Sequence, residues 1–296
     1  MIEQLDYLYF PGCSVKRDAR SYEETAFDVF KALGLRVKEL DKWWCCGATF
    51  GLAVDDVARH MGSVRSLIQA EKESVSAGTN KLLTLCPMCY NTLKRVNLTL
   101  KKDPGKLSTI KKYLMDENLD YNLSVEVVHV LEPLFNVRDK IRQLVKRKGN
   151  GIRAAPYYGC TPLRPREVAI DSPEAPTIMH SILEASGVQV VDFPFKSECC
   201  GAYVSIYNRK AAVAKSSMII IGAAKAGANI LVTVCPLCHY NLMLAYREMK
   251  HKPNIKIVYL TELLAYLMGI DDHVPPDIKA FLDSLQKIEA RQVEVS

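Results

Sequence analysis

Apolar residues come in eight short runs along the chain, and between the runs they spread out to helical spacing. Residues 5–12 alternate and break at Pro11-Gly12, which predicts a strand ending at Cys13. A helical segment follows from about Ser21 to Leu33, closed by Gly34, and Leu35 to Leu40 is a second strand that runs into Trp43-Trp44-Cys45-Cys46-Gly47. The segment from about Val54 to Ala77 has helical spacing, with Gly78 at the stop position. Lys81 to Leu85 is the third strand, and Cys86-Pro87-Met88-Cys89 opens the next helix. Beyond a polar stretch at 101–121, Val125 to Leu134 reads as a strand that turns into a helix.

The second half repeats this order. Ile152 to Tyr158 leads to Gly159-Cys160, a helical segment spans about Ala175 to Ser186, and Val188 to Phe193 leads to Cys199-Cys200-Gly201. A helix from about Lys210 to Ala226 precedes the apolar run that ends in Cys235-Pro236-Leu237-Cys238, and Ile255 to Leu264 echoes the Val125 segment. A duplication should hold its landmarks while its loops drift. Cys13 to Cys160 is 147 residues, Cys45 to Cys199 is 154 and Cys86 to Cys235 is 149. Glu132 to Glu262 is only 130, so the first half carries about nineteen extra residues, within 101–121. Alternating strands and helices make parallel βαβ units. The expectation is an α/β protein of two similar domains, 1–148 and 149–296, related by a pseudo-twofold axis, each with a mostly parallel sheet flanked by helices. The basic segment Lys146 to Gly151 is the expected linker, and the charged tail from Asp277 is expected to be an exposed helix with a frayed end.

Composition narrows the class. No apolar run reaches the ~18 residues of a membrane-spanning helix. The first residues carry acid where a secretory signal carries base, so a cytoplasmic location is expected. The formal net charge of +6 is small for 296 residues. No basic run interleaved with aromatics suggests nucleic-acid binding.

Ten cysteines without an export signal point away from disulfides, because the cytosol keeps thiols reduced. All ten belong to the repeat. The first half has Cys13, then Cys45-Cys46-Gly47, then Cys86 and Cys89; the second has Cys160, then Cys199-Cys200-Gly201, then Cys235 and Cys238. Each landmark follows a strand, so the five thiols of a half converge if their strands end on one edge, where open α/β sheets place ligands. Structural zinc takes four ligands, and an ordinary cubane cluster also takes four. Five sulfurs, two of them adjacent and able to bridge, suit a larger or distorted iron-sulfur assembly better. A thioredoxin-like dithiol at either Cys-Pro-x-Cys leaves the Cys-Cys-Gly elements unexplained. Gly47 and Gly201 are read as cofactor-site residues where the chain must turn sharply or approach closely.

The doubled pattern resembles the CCG-domain family, and a chain built of two such domains is similar to the B subunit of heterodisulfide reductase. The resemblance runs from about Leu5 to Leu264. It implies two non-cubane [4Fe-4S] clusters, one held by Cys13, Cys45, Cys46, Cys86 and Cys89, the other by Cys160, Cys199, Cys200, Cys235 and Cys238, with a disulfide cleaved or formed between them. It also implies that the same ten cysteines are the catalytic set. A ferredoxin-like iron-sulfur subunit and an FAD-containing flavoprotein are implied as partners, since the chain has neither a ferredoxin cysteine run nor a Gly-x-Gly-x-x-Gly fingerprint. Two other readings belong to the same resemblance. One is a sulfur-oxidising relative acting on carrier-bound sulfur; the other is an electron-relay subunit like those of lactate or glycolate dehydrogenases and thiol-linked fumarate reductases.

Other candidates are weaker. A [4Fe-4S] core of about +2 with five thiolates carries about −3, which calls for nearby positive charge or amide donors. Arg17 and Arg164 each fall four residues after the first cysteine of their half, and each also reads as a surface arginine. His239 could donate a proton to a leaving thiolate, but its counterpart is Tyr90. His129 reads as a core histidine. Trp43, Trp44, Tyr157 and Tyr158 read as packing residues that could also shield the site.

Overall fold

The computed structural model describes residues 5–48 and 57–294, with side chains up to Lys287. The apolar pairs Leu8-Tyr9, Leu82-Leu83 and Val127-Val128 are buried, which is what a strand covered on both faces requires. They lie in strands β1 (Tyr7–Tyr9), β3 (Lys81–Thr84) and β4 (Glu126–His129), with β2 (Val37–Glu39) at the edge. All four are parallel, in the order β2-β1-β3-β4, with Tyr7 opposite Val37, Leu8 opposite Leu82 and Thr84 opposite His129.

The second half forms its own sheet. Strands β5 (Arg153–Tyr157), β6 (Gln189–Val190), β7 (Ile230–Thr233) and β8 (Lys256–Tyr259) are again all parallel and run in the equivalent order β6-β5-β7-β8. The run 188–193 supplies only two paired residues. Pro156 accounts for this: it has no N–H to give a neighbour, and β6 pairs only with Arg153 and Ala154, before that proline is reached. In each sheet the strand order reverses at the central pair, β1/β3 or β5/β7. That topological switch point opens a crevice beyond the carboxyl ends of the strands.

The helices follow the expected segments: Arg20–Leu33, Met61–Ala77, Pro87–Lys102, Ile178–Ala185, Arg209–Lys225, Pro236–Glu248 and Leu260–Met268. The expected start of the third segment, near Val54, lies outside the described residues. The extra residues of the first half are not loop. They finish one helix and add another, Pro104–Leu114, whose first turn is capped by the Asp103 carboxylate accepting from Lys106 N at 2.9 Å.

The described residues fall into two compact units. One takes the chain up to Arg17 and from Gly34 to Val130, with the first sheet; the other takes 18–33 and everything from Leu131 onward, with the second. Within the second unit, helix Arg20–Leu33 packs on helix Leu260–Met268, all nine residues of which are buried. Thr25 and Thr261 share a hydrogen bond of 2.8 Å, and the Tyr22 and Tyr259 rings stack at 4.3 Å. The 146–151 segment is anchored rather than slack: Lys146 N and Arg147 N both donate to Leu267 O at 2.9 Å. The tail forms helix Pro276–Glu294, and it is not simply exposed. Ile278, Leu282 and Leu285 repeat at helical spacing and are buried.

Candidate functional site: two rows of five sulfurs

Three chain segments bring sulfur to the crevice of each sheet. After β1 the chain turns through Gly12 and Cys13 opens a short helix; after β3, Cys86 is the N-cap of helix Pro87–Lys102. Proline at the first helical position suits that start, since its missing N–H had no partner to lose. Thr84 Oγ1 accepts from Cys86 N, and Thr233 Oγ1 accepts from Cys235 N, both at 3.3 Å, so the Cys-Pro-x-Cys turn is braced alike in both halves. The thiols of these turns sit where unpaired N–H groups and the helix dipole favour negative charge.

The sulfurs are strung in a row of neighbours. In the first unit Cys13 Sγ lies 4.0 Å from Cys45 Sγ, and Cys46 Sγ lies 3.5 Å from Cys89 Sγ. Cys45 also hydrogen-bonds Cys46, and Cys89 bonds Cys86. The second unit has the same sequence of contacts: Cys160 with Cys199, Cys199 with Cys200, Cys200 with Cys238, Cys238 with Cys235. All ten thiols are free. Among the described residues no group of three or more His, Cys, Asp or Glu side chains is gathered as the ligand set of a single metal ion. The donor set of each half is five soft sulfurs in successive contact, a fit to an iron-sulfur group rather than to one tetrahedral ion.

The row cannot carry five negative charges unaided. Hydrogen bonding with Cys45 and Cys89 pulls the Cys46 thiol down to about 5, while hydrogen bonding with Cys46 and Cys86, together with burial, pushes Cys89 well up. Cys13 is raised by burial and by Cys45, and Cys45 by Cys46 and burial. In the second row hydrogen bonds from Cys160 and Cys200 lower Cys199, and Cys199 raises Cys200 to about 11. In each row one thiol is favoured as thiolate at the expense of its neighbours. Full deprotonation needs a cationic core among the sulfurs.

Glycine makes room for the sulfur. A Cβ on Gly12 would stand 2.7 Å from Cys89 Sγ, and one on Gly159 would stand 3.1 Å from Cys238 Sγ; both glycines have φ near +70°. These two are site residues that the motif reading passed over, although a glycine precedes the first cysteine in both halves. Gly47 and Gly201 also have positive φ, and Gly201 N donates to Cys199 Sγ at 3.3 Å. The Cys-Cys turns are tied down by serines on the following helices. Ser63 Oγ donates to Cys46 O at 2.7 Å, and Ser216 Oγ to Cys200 O at 3.0 Å.

The other candidates divide. Arg17 is exposed on the short helix that begins at Cys13, and Arg164 spends its guanidinium on the Ser197 and Pro173 carbonyls at 3.2 and 3.1 Å. Tyr157 lies against the second row: burial and the neighbouring sulfurs raise its hydroxyl, which donates to Glu198 O at 2.8 Å. Tyr158 is turned away, accepting from Met179 N at 2.9 Å. Trp43 meets the ring of Phe10 edge-on at 5.7 Å, while Trp44 stays partly exposed. His239 stacks on Tyr259 at 4.2 Å, and burial drives it down to about 4, so it is neutral near pH 7. His129 meets Tyr90 edge-on at 5.6 Å and is likewise pushed down to about 4 by burial. Each half therefore keeps one histidine and one tyrosine in contact at equivalent positions, with the identities exchanged.

A model of the CCG cysteine-rich domain matches residues 7–94 and again 154–243. The chain is 30% identical to the 8-methylmenaquinol:fumarate reductase membrane anchor subunit of Wolinella succinogenes over 272 residues, 90% of this chain and 93% of that one. It is 24% identical to the B subunit of the ferredoxin/F(420)H(2)-dependent CoB-CoM heterodisulfide reductase of Methanosarcina acetivorans, covering 97% of both chains. A protein of Archaeoglobus profundus, named for its likeness to the B subunit of heterodisulfide reductase, is 26% identical over 90% of this chain and 91% of its own. In fold, 88% of the chain superposes on the crystal structure of a hypothetical protein from Helicobacter pylori, with a TM-score of 0.65 at 14% identity, spanning about half of that structure (48%). The chain belongs to the CCG cysteine-rich domain family, with one matched domain in each half, and its relatives there include heterodisulfide reductase B subunits. Among the described residues no helix is long and apolar enough to cross a membrane.

Proposed function

We propose that this protein is the disulfide-handling subunit of an iron-sulfur oxidoreductase complex, with one non-cubane [4Fe-4S] cluster in each half and a heterodisulfide or a carrier-bound sulfur as substrate. The observation that carries this reading is the pair of five-sulfur rows, alike in order and each set at the switch point of a parallel sheet. Cleaving a disulfide takes two electrons and, for release of both thiols, two protons. The five cysteines of each half would hold the cluster, which would supply the electron chemistry that the cleavage needs.

The residues of each row divide the work. Cys46, Cys86 and Cys89, and likewise Cys200, Cys235 and Cys238, are buried and keep water from the inner edge. Cys13 and Cys45 are exposed and Cys160 and Cys199 half-buried, so the outer sulfurs border the side open to substrate. The exposed outer sulfurs give solvent protons access to that open side. Electrons come from a ferredoxin-like partner subunit, itself fed by a flavoprotein.

The test is anaerobic iron and acid-labile sulfide analysis with EPR after oxidation in the presence of a thiol. The reading expects about eight irons per chain and a thiol-dependent paramagnetic signal. Cys86→Ser or Cys235→Ser should remove turnover together with one cluster signal. Full activity in a cluster-depleted variant would overturn it.

A second reading has an observation of its own. The Wolinella relative, the most identical of those named above, is called a membrane anchor subunit of a fumarate reductase, which favours an electron-relay role in a quinol-linked complex. A relay expects the same iron with no response to thiol.

A further inference from the structure

If the rows hold iron-sulfur clusters, as proposed above, a residue that is no ligand is placed to act on one of them. Asn241 lies on helix Pro236–Glu248, one turn beyond Cys238, and is 2% exposed. Its Nδ2 reaches Cys200 Sγ at 3.6 Å and Cys200 O at 3.5 Å. An N–H aimed at a ligand sulfur stabilises the electron-rich state of whatever that sulfur binds, and hydrogen bonds to sulfur are one of the levers that set cluster potentials. At the corresponding place in the first half, three residues after Cys89, stands Thr92, whose hydroxyl turns back to Met88 O at 2.8 Å. The helix geometry is shared, and the polar group at this position serves a sulfur in one half and its own backbone in the other.

We propose that Asn241 is a positioning residue that raises the reduction potential of the second cluster through the Cys200 sulfur, so that the two clusters, alike in ligands, differ in potential. The difference would order the electrons, drawing the first one toward the second half.

The experiment is an EPR-monitored redox titration of the intact protein with iron content measured in parallel. Asn241→Leu keeps the volume and removes the donor; Asn241→Asp keeps the shape and places an acceptor against the sulfur. Both variants should retain wild-type iron and shift one potential downward, the Leu variant by about five- to tenfold in the one-electron equilibrium constant, as expected for one hydrogen bond, and the Asp variant further. The other potential should not move. Thr92→Ala should move neither. Unchanged potentials with full iron would overturn the proposal, and so would loss of iron from both Asn241 variants, which marks a purely structural role. Absence of any cluster in the wild-type protein would overturn the cluster reading itself and this inference with it, a failure recognisable before any variant is made.

Discussion

Cys89 Sγ occupies the space that a side chain on Gly12 would need, 2.7 Å from the position of the missing Cβ. A thiol can swing away from such a clash, but a thiol committed to a shared cluster cannot.

Gly12→Ala should therefore fold and yet lose iron from the first half. The backbone there, at φ +74°, adds its own penalty, of order 1 kcal/mol for a residue with a Cβ. Gly159→Ala should be milder in its effect on the second half, because the corresponding distance is 3.1 Å. Iron per chain with cluster-specific EPR reads both. Equal iron in the two variants and the wild type would refute the claim that these glycines exist to admit sulfur.

The serines behind the Cys-Cys turns give a graded pair. Ser63→Ala takes the 2.7 Å donor from the buried Cys46 carbonyl, whereas Ser216→Ala leaves Asn241 within 3.5 Å of the Cys200 carbonyl. Denaturant unfolding should place the cost of the first at about 1–3 kcal/mol, the penalty for a buried carbonyl left wanting. The second should cost less. The reverse order would mean that the serines matter for packing rather than for holding the turns.

The sulfur framework was legible in the chain because two signals coincide: short apolar runs lead into the cysteines, and the intervals between cysteines repeat. Contacts between residues far apart in sequence left weaker traces. Nothing near Gly12 announces Cys89, and only its recurrence at Gly159 hints at the role. Asn241 points at Cys200 because of the turn of a helix, which a motif does not encode. The shortness of β6 follows from Pro156 on its neighbour, so the apolar run 188–193 overstates the strand. The tail's inner face was readable, since Ile278, Leu282 and Leu285 already stand at helical spacing within the charge-rich sequence.

Helix Arg20–Leu33 belongs by sequence to the first repeat, but it buries Tyr22, Ala26, Val29, Phe30 and Leu33 in the unit that holds the second sheet. Residues 131–296 expressed alone should lack that cover over helix Leu260–Met268. At roughly 1.5–3 kcal/mol per large buried side chain, the loss is comparable to the usual stability of a domain. The fragment is expected to bind a hydrophobic dye and to show no cooperative unfolding; adding residues 18–33 as a fused segment should restore it. A stable, dye-negative fragment would show that the helix contributes little.

Glu262 supplies the pH dependence. It is 1% exposed and closes the start of helix Leu260–Met268, accepting from Tyr259 N at 2.8 Å and from Ser21 Oγ at 2.7 Å. Burial outweighs these bonds and lifts the carboxyl to about 7. The folded protein therefore holds a proton that the unfolded chain, with an ordinary carboxyl near 4.5, has already released. Between about pH 4.5 and 7 the folded state binds more protons, so this group's contribution to stability falls as pH rises through that window. Below it there is no penalty, and above it the penalty is complete, at roughly 3–4 kcal/mol. Glu262→Gln keeps an acceptor without the charge. Its unfolding free energy should match the wild type near pH 4.5 and exceed it at pH 8, so that the difference between the two proteins grows across the window. A constant difference from pH 4.5 to 8 would mean that the carboxyl titrates alike in the folded and unfolded chains.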